Sequence, residues 1–374
     1  MKLDHFLLDE WLDTKTAVPG AIRHHLAAST GPHWTVKQLL ALEPGALERL
    51  LGIEVIYSRA KGSDELRAAL AEMLGADPEE IQITTGASEA LHVLFAWAAE
   101  PGANVVMPAP CFPPTSAVPR ALGLEVRTYR LRRENGFAVD LDEVRSLLDG
   151  RTRLLLVNSP HNPTGAALSA GELAALHDLA AERGIGFVSD EVYGPISAGA
   201  PPASAARLPR ATIVSDFSKA FCLSGTRVGF LLERDARRRA YATNAREMFT
   251  VTNAPLEEAL AAVAVRHRET IFARANETVR PNLAELERFL ARHADLFRWV
   301  RPSGGMIAFP WLASGEDSRP LCEYLAERGV LVVPGDCFGA PDHVRIGFGA
   351  TPPAEFAHAL SLLDELLQER RAAA

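Results

Sequence analysis

The segment Ser215-Asp216-Phe217-Ser218-Lys219-Ala220-Phe221 sets an amine beside a hydroxyl and three residues after a carboxylate, in a chain with few lysines. An amine enclosed by cations and apolar walls has a lowered pKa and becomes a nucleophile. Taken alone, Lys219 reads as well as a salt-bridged lysine. Arg227 follows after a glycine-containing turn. Upstream, Ser189-Asp190-Glu191-Val192-Tyr193 ends an apolar run with an acid and then a phenol. A carboxylate leaving a buried strand is costly unless it meets a cation or metal, so Asp190 is either half of a structural ion pair or a ligand group. Asn158-Ser159-Pro160-His161-Asn162-Pro163-Thr164-Gly165 confines its backbone with two prolines and so fixes the Asn162 amide; the same residues also favour a plain turn. Thr85-Gly86-Ala87-Ser88 sits where a strand gives way to a helix. Free N–H groups there, with the Ser88 hydroxyl, would cradle a phosphate, although a serine N-cap explains the same residues.

The elements that must position these residues follow from the alternation of apolar, β-branched runs with Ala/Leu-rich stretches. Strands are predicted at 81–85, 104–108, 124–131, 153–159, 186–190, 211–216 and 226–232, with helices such as 87–99 and 170–182 between them. Buried strands alternating with helices predict an α/β fold, with a mostly parallel seven-stranded sheet covered on both faces. Ligands of such sheets bind beyond the carboxyl ends of the strands, where all four segments fall. After about residue 280 a helix predicted at 281–293 leads into short strand-like runs and a final helix from Pro353. This reads as a smaller α+β domain. The expected organisation is 1–44 as an N-terminal arm belonging partly to the small domain, 45–278 as the large domain and 279–374 as the small one.

Composition narrows the function classes. The chain has 374 residues, 48% hydrophobic and 23% charged, which is ordinary for a soluble globular protein. With 39 basic against 47 acidic side chains, the net charge is −8. That balance argues against a nucleic-acid or anionic-membrane partner. No apolar run approaches the ~18 residues of a membrane span, and the N-terminus lacks a signal-peptide pattern. Cys111, Cys222, Cys322 and Cys337 are scattered without metal-ligand spacing, so no metal is expected and a reducing cytoplasm fits.

Together the strand ends supply a phosphate cradle, an amide, an acid, a phenol, an amine and a guanidinium. Pyridoxal 5'-phosphate offers a phosphate, a phenolic oxygen, a ring nitrogen and an aldehyde, one partner for each. From about Tyr57 to Arg345 the chain resembles the fold-type I, class I/II family of pyridoxal-phosphate-dependent aminotransferases. The resemblance implies that Lys219 forms the Schiff base and moves the substrate proton. It pairs Asp190 with the pyridinium nitrogen, and Asn162 and Tyr193 with the phenolic oxygen. Ala87, Ser88, Ser218 and Arg227 fall at phosphate-binding positions, and Phe112 where an aromatic ring stacks on the cofactor; core packing is the plainer reading of Phe112 alone. Arg345, with Asn162, would bind the substrate α-carboxylate, unless Arg345 merely pairs with Asp342. Tyr57 matches a tyrosine that reaches the phosphate of a neighbouring subunit, which implies a homodimer with shared sites. The implied substrates are an α-amino acid and a 2-oxo acid.

One position departs from the family. Asp216 stands where Ser or Thr usually donates to the phosphate, and an ionised carboxylate cannot donate. This Asp-x-Ser-Lys arrangement, with Phe6-Leu7-Leu8-Asp9-Glu10-Trp11-Leu12, resembles a capreomycidine-synthase-like branch whose members modify arginine-derived amino acids. Asp216 either turns away to pair with an arginine or alters the phosphate contacts and the reaction outcome. Transamination of an α-amino acid is the leading expectation. A lyase, cyclase or oxidase on the same fold is the alternative, and a ligand-sensing protein a remote one. Asp13, Lys15, His24, His33 and Trp34 are candidates for the site mouth, although each reads more simply as structural or exposed.

Overall fold

A computed structural model describes residues 3–373. Its seven-stranded sheet comprises β1 (Ile81–Thr84), β2 (Asn104–Ala109), β3 (Glu125–Arg130), β4 (Thr152–Asn158), β5 (Gly186–Asp190), β6 (Thr212–Asp216) and β7 (Gly229–Leu232). The order across the sheet is β1-β7-β6-β5-β4-β2-β3. Neighbours pair in parallel except at β7, which runs antiparallel to β1 and β6. Along each central strand, successive side chains enter different cores. Leu154, Leu156, Val188 and Val214 join one, while Leu155, Val157, Phe187 and Ile213 join the other. Burial on both faces is why these strands read as unbroken apolar runs.

The six parallel strands end on one edge of the sheet, and the antiparallel β7 begins there, with Gly229 opposite both Thr84 and Asp216. That reversal brings Arg227, just ahead of β7, to the edge where Lys219, Asp190 and Asn162 emerge. The strand predicted at 226–232 starts three residues late for a local reason: Ser224–Thr226 winds into a 3-10 turn, and Arg227 takes the left-handed conformation at φ +50°.

The helices used below are α1 (Leu7–Thr16), α2 (Gly86–Ala98), α3 (Ala170–Ala181), α4 (Ala236–Phe249), α5 (Arg268–Arg292) and α6 (Pro353–Ala373). Helix α5 begins well before the predicted start at Pro281 and carries that proline in its interior. A proline there removes one backbone hydrogen bond. The stripe Ile271, Ala275, Val279, Leu283 and Leu286 is buried straight through it, so packing outweighs the local break. The expected domain boundary at 278/279 thus falls inside a helix.

Beyond α5, β8 (Ile307–Ala308), β9 (Val333–Pro334) and β10 (Val344–Gly347) form an antiparallel sheet in the order β8-β10-β9. The chain's start packs on this part: His24–His25 pairs in parallel with Val330–Leu331, and Trp11 Nε1 donates to the Val332 carbonyl at 2.9 Å. Among the described residues no helix is long and apolar enough to cross a membrane.

Candidate active site

The phosphate end of the site is built by two close approaches of backbone. Gly86 opens α2 at φ +74°, and a Cβ there would lie 2.6 Å from Arg227 Nη2, so only glycine admits the guanidinium. Gly229 is also confined, since a Cβ on it would stand 2.7 Å from the Ala87 nitrogen. Thr85, the residue at the N-cap, makes no side-chain cap, and Ser88 is exposed inside the first turn. Glu89 accepts the Thr85 N–H, whereas among the described residues no side chain accepts the Gly86, Ala87 or Ser88 N–H, which lie at the positive end of the helix dipole. Arg227 Nη1 donates to Ser218 Oγ at 3.0 Å. Ala87, Ser218 and Arg227 are thus brought together, with Ser88 next along the same turn, and the serine-cap reading of Ser88 does not hold because Thr85 occupies the N-cap.

The other end is buried. Asp190 accepts the Val192 N–H at 3.2 Å and, among the described residues, forms no ion pair. Burial pushes its carboxyl up to about 7; the Val192 N–H opposes this, the negative charges of Asp216 and Glu191 add to it, and Lys219 offsets it slightly. Tyr193 is 1% exposed and, among the described residues, its hydroxyl has no partner. Among the described residues Lys219 forms no salt bridge and instead donates from Nζ to Ser29 Oγ at 3.1 Å. Asn162 is held by its own N–H, donated to Asn158 Oδ1 at 2.8 Å, and its Oδ1 accepts from Arg345 Nη1 at 3.3 Å. Arg345, 2% exposed, gives Nη2 to the Ala27 carbonyl at 2.9 Å, and among the described residues its Nε has no partner. It does not pair with Asp342, which takes Arg133 at 2.7 Å.

Phe112 is half-buried, its ring meeting the edge of Phe6 at 5.6 Å and 77°. Tyr57 stands apart from this cluster, 84% exposed. Asp216 corrects an expectation. Rather than turning away to an arginine, it is buried and accepts the Ser218 N–H at 2.9 Å, bracing the turn that carries Lys219. Of the mouth candidates, Lys15 lies over the Trp11 ring, His24 joins a strand pair, and Trp34 sits under Arg274. Two participants carried no sequence signal. Ser29 lies in an irregular segment 190 positions from its lysine. Arg246, in the polar α4, is fully buried, pairs with Glu89 at 3.1 Å and donates to Asn253 at 2.7 Å behind the α2 N-terminus.

Residues 48–363 match the family described as aminotransferase class I and II. The chain belongs to this family. Capreomycidine synthase from Streptomyces vinaceus is 34% identical over 98% of this chain and 93% of its own length. A pyridoxal-phosphate-dependent aminotransferase from Streptococcus suis superposes with a TM-score of 0.90 at 27% identity, covering 99% of both chains. The pyridoxal-phosphate-dependent cyclase OrfR superposes with a TM-score of 0.88 at 29% identity, covering 99% of this chain and 98% of that one. The chain is accordingly a pyridoxal-phosphate-dependent aminotransferase of fold type I.

The site fits that cofactor on physical grounds as well. A buried acid without a cation suits a protonated ring nitrogen, and a buried phenol without a partner suits an oxygen acceptor. The helix N-terminus with Arg227 suits a phosphate dianion.

Proposed function

We propose that this aminotransferase holds pyridoxal phosphate through Lys219 and uses the surrounding residues as follows. The bound cofactor supplies an electron-accepting ring that stabilises negative charge at the substrate Cα. Lys219 Nζ would remove the proton from that Cα and, as general acid, deliver it to C4′ of the cofactor. Asp190 keeps a proton on the ring nitrogen. Asn162 and Tyr193 hydrogen-bond the phenolic oxygen, and Phe112 covers the ring face. Ala87 and Ser88 at the α2 N-terminus, with Ser218 and Arg227, hold the phosphate. Arg345 grips the substrate α-carboxylate in the two-pronged geometry that guanidinium permits, with Asn162 fixing its orientation.

The observation carrying this reading is that, among the described residues, buried Asp190 meets no cation and the buried Tyr193 hydroxyl and Arg345 Nε have no hydrogen-bond partner, around a lysine that pairs with no acid. Such groups are expensive unless a ligand completes them. Borohydride reduction of the purified protein followed by peptide mapping tests it. The pyridoxyl label should lie on the Lys219 peptide and vanish in Lys219→Ala; a label on another lysine refutes the assignment.

A second reading keeps the cofactor and changes the outcome to cyclisation, elimination or oxidation. The buried carboxylate of Asp216 and the similarity to capreomycidine synthase favour it. Oxo acid formed together with pyridoxamine phosphate supports transamination, and a different product with pyridoxal phosphate retained supports the second reading.

The same reading includes a homodimer in the cytoplasm, with Tyr57 completing the partner's phosphate site. Its support is an exposed apolar strip: Val55, Ile56 and Tyr57 are 81%, 66% and 84% exposed, and Met248 and Phe249 are exposed as well. Sedimentation should give twice the chain mass, and Tyr57→Phe should weaken cofactor retention while the dimer persists. We also assign 45–278 to the cofactor-binding body, with 1–44 and 279–374 to the part that carries Arg345.

A further inference from the structure

A chain of stacked side chains leads away from Arg345 to the outside of the site. Its guanidinium lies over the Phe338 ring at 5.1 Å, and Phe338 meets the edge of Phe309 at 5.7 Å and 82°. Phe309 in turn stacks on the His343 imidazole at 4.5 Å and 26°. All four side chains are buried. His343 Nδ1 bonds Asp342 Oδ1 at 2.7 Å, while among the described residues Nε2 has no partner. Asp342 is therefore the one polar anchor of that ring among them, and close packing fixes the rest.

The far end of this chain is anchored by Arg133. The second Asp342 oxygen takes Arg133 Nη1 at 2.7 Å, and the same guanidinium lies over Trp311 at 5.1 Å. Trp311 forms an antiparallel bridge with His343, so Arg133 meets the base of β10 at two points. Burial would raise the Asp342 carboxyl, but Arg133 and His343 together hold it below the ordinary aspartate value, so it is ionised and accepts from both. Arg133 opens the 3-10 turn that follows β3, in the body assigned to 45–278. Asp342 and His343 lead straight into β10, which carries Arg345. Among the described residues no other salt bridge joins 45–278 to 279–374. The pair thus ties the strand bearing the carboxylate-binding arginine to the body bearing Lys219.

We propose that Arg133 and Asp342 are positioning residues for the substrate α-carboxylate: the pair fixes the His343 ring and, through Phe309 and Phe338, sets the plane of the Arg345 guanidinium. This rests on the reading of Arg345 given above. Two-pronged binding of a carboxylate requires that plane to be correct. Tightly packed rings pass a tilt from one to the next because no space is left to absorb it. Losing the Arg133 charge frees Asp342, and with it the orientation of His343. The groups assigned to the cofactor lie at the strand ends of the other body and keep their contacts. Carboxylate affinity and cofactor affinity should therefore separate.

The test uses the holoenzyme and propionate, a carboxylate without the amine needed to react. An anion on Arg345 beside Lys219 favours the protonated form of the lysine nitrogen, so binding is read as a shift of the cofactor absorbance. Arg345→Lys should raise the propionate Kd about tenfold or more. Arg133→Gln and Asp342→Asn should each raise it about three- to tenfold, between the scale of an exposed ion pair and that of a charged hydrogen bond. The two changes combined should add little to the larger one, because they break the same contact. Arg133→Lys keeps the charge and should recover part of the loss. Cofactor Kd and the reduced label on Lys219 should not change in the Arg133 and Asp342 variants. A propionate Kd within about twofold of wild type in both, with Arg345→Lys impaired, overturns the proposal and leaves the Arg345 reading standing. Propionate and cofactor weakening in parallel also overturns it, because that marks a general loss of structure. If propionate leaves the wild-type spectrum unchanged, or binds Arg345→Lys as well as wild type, the carboxylate assignment fails and the proposal with it.

Discussion

Replacing Asp190 with asparagine separates the electrostatic cost of its buried carboxyl from its role in the chemistry. In the native protein the Asp190 carboxyl keeps its proton up to about pH 7, whereas the ordinary aspartate value is 3.8. Between those values the native state binds more protons than the unfolded chain, so stability falls as pH rises. Each pH unit of that gap is worth 1.36 kcal/mol. The side chain is buried, so solvent screening removes little of this. The total is about 4 kcal/mol, of which about 3 kcal/mol falls between pH 5 and pH 8. Urea unfolding of the cofactor-stripped protein at those two pH values should show wild type losing about 3 kcal/mol more than Asp190→Asn. Equal losses in the two proteins would refute the claim that Asp190 is a buried, uncompensated carboxyl. Adding cofactor should reverse the ranking, because the ring nitrogen then supplies the missing positive charge. One such pair at ~4 Å and an effective dielectric of ~20 is worth about 4 kcal/mol before desolvation, so kcat of Asp190→Asn should fall by up to about a thousandfold.

Arg345→Lys loses the two-pronged hydrogen bonding and should reduce kcat/KM about 10- to 100-fold, mainly through KM in the first half-reaction. Gly86→Ala forces a Cβ toward Arg227 at φ +74° and should cost about 1–2 kcal/mol while weakening cofactor retention, both measurable in one thermal-shift titration. Arg246→Met leaves the largely buried Glu89 carboxylate without its cation and should destabilise the protein by about 3 kcal/mol in urea; Arg246→Met/Glu89→Gln should recover part of that.

The large sheet was legible because its central strands are buried on both faces, which writes burial into the sequence as uninterrupted apolar runs. The strand ends were legible for the converse reason: polar residues placed just after such runs have no packing role. What the sequence hid depends on pairing between distant segments. Ser29 carries no local mark of its contact with Lys219, and the burial of Arg246 depends on Glu89 and Asn253, neither of which its own helix announces. The start of α5 was hidden by Pro281, whose local signal is weaker than the buried stripe running through it. Tyr57 differs again, since its large exposure shows that nothing in its own chain explains it.

Asp216 links the site's electrostatics to its outcome. Its carboxylate accepts the Ser218 N–H, and its charge helps raise the Asp190 carboxyl. Asp216→Ser keeps a short side-chain acceptor able to cap the same N–H. The substitution removes one negative charge and adds a hydroxyl donor on the phosphate side. Two independent shifts should follow. The pH window over which the stripped protein loses stability should move down, because Asp190 loses a repelling neighbour. Cofactor should also bind more tightly, because a like charge near the phosphate is replaced by a donor. If only the first shift occurs, Asp216 acts on Asp190 and the turn, and the phosphate contacts are complete without it. If both occur together with a change in the ratio of oxo acid to other products, the carboxylate selects the reaction's outcome through the cofactor it helps to hold.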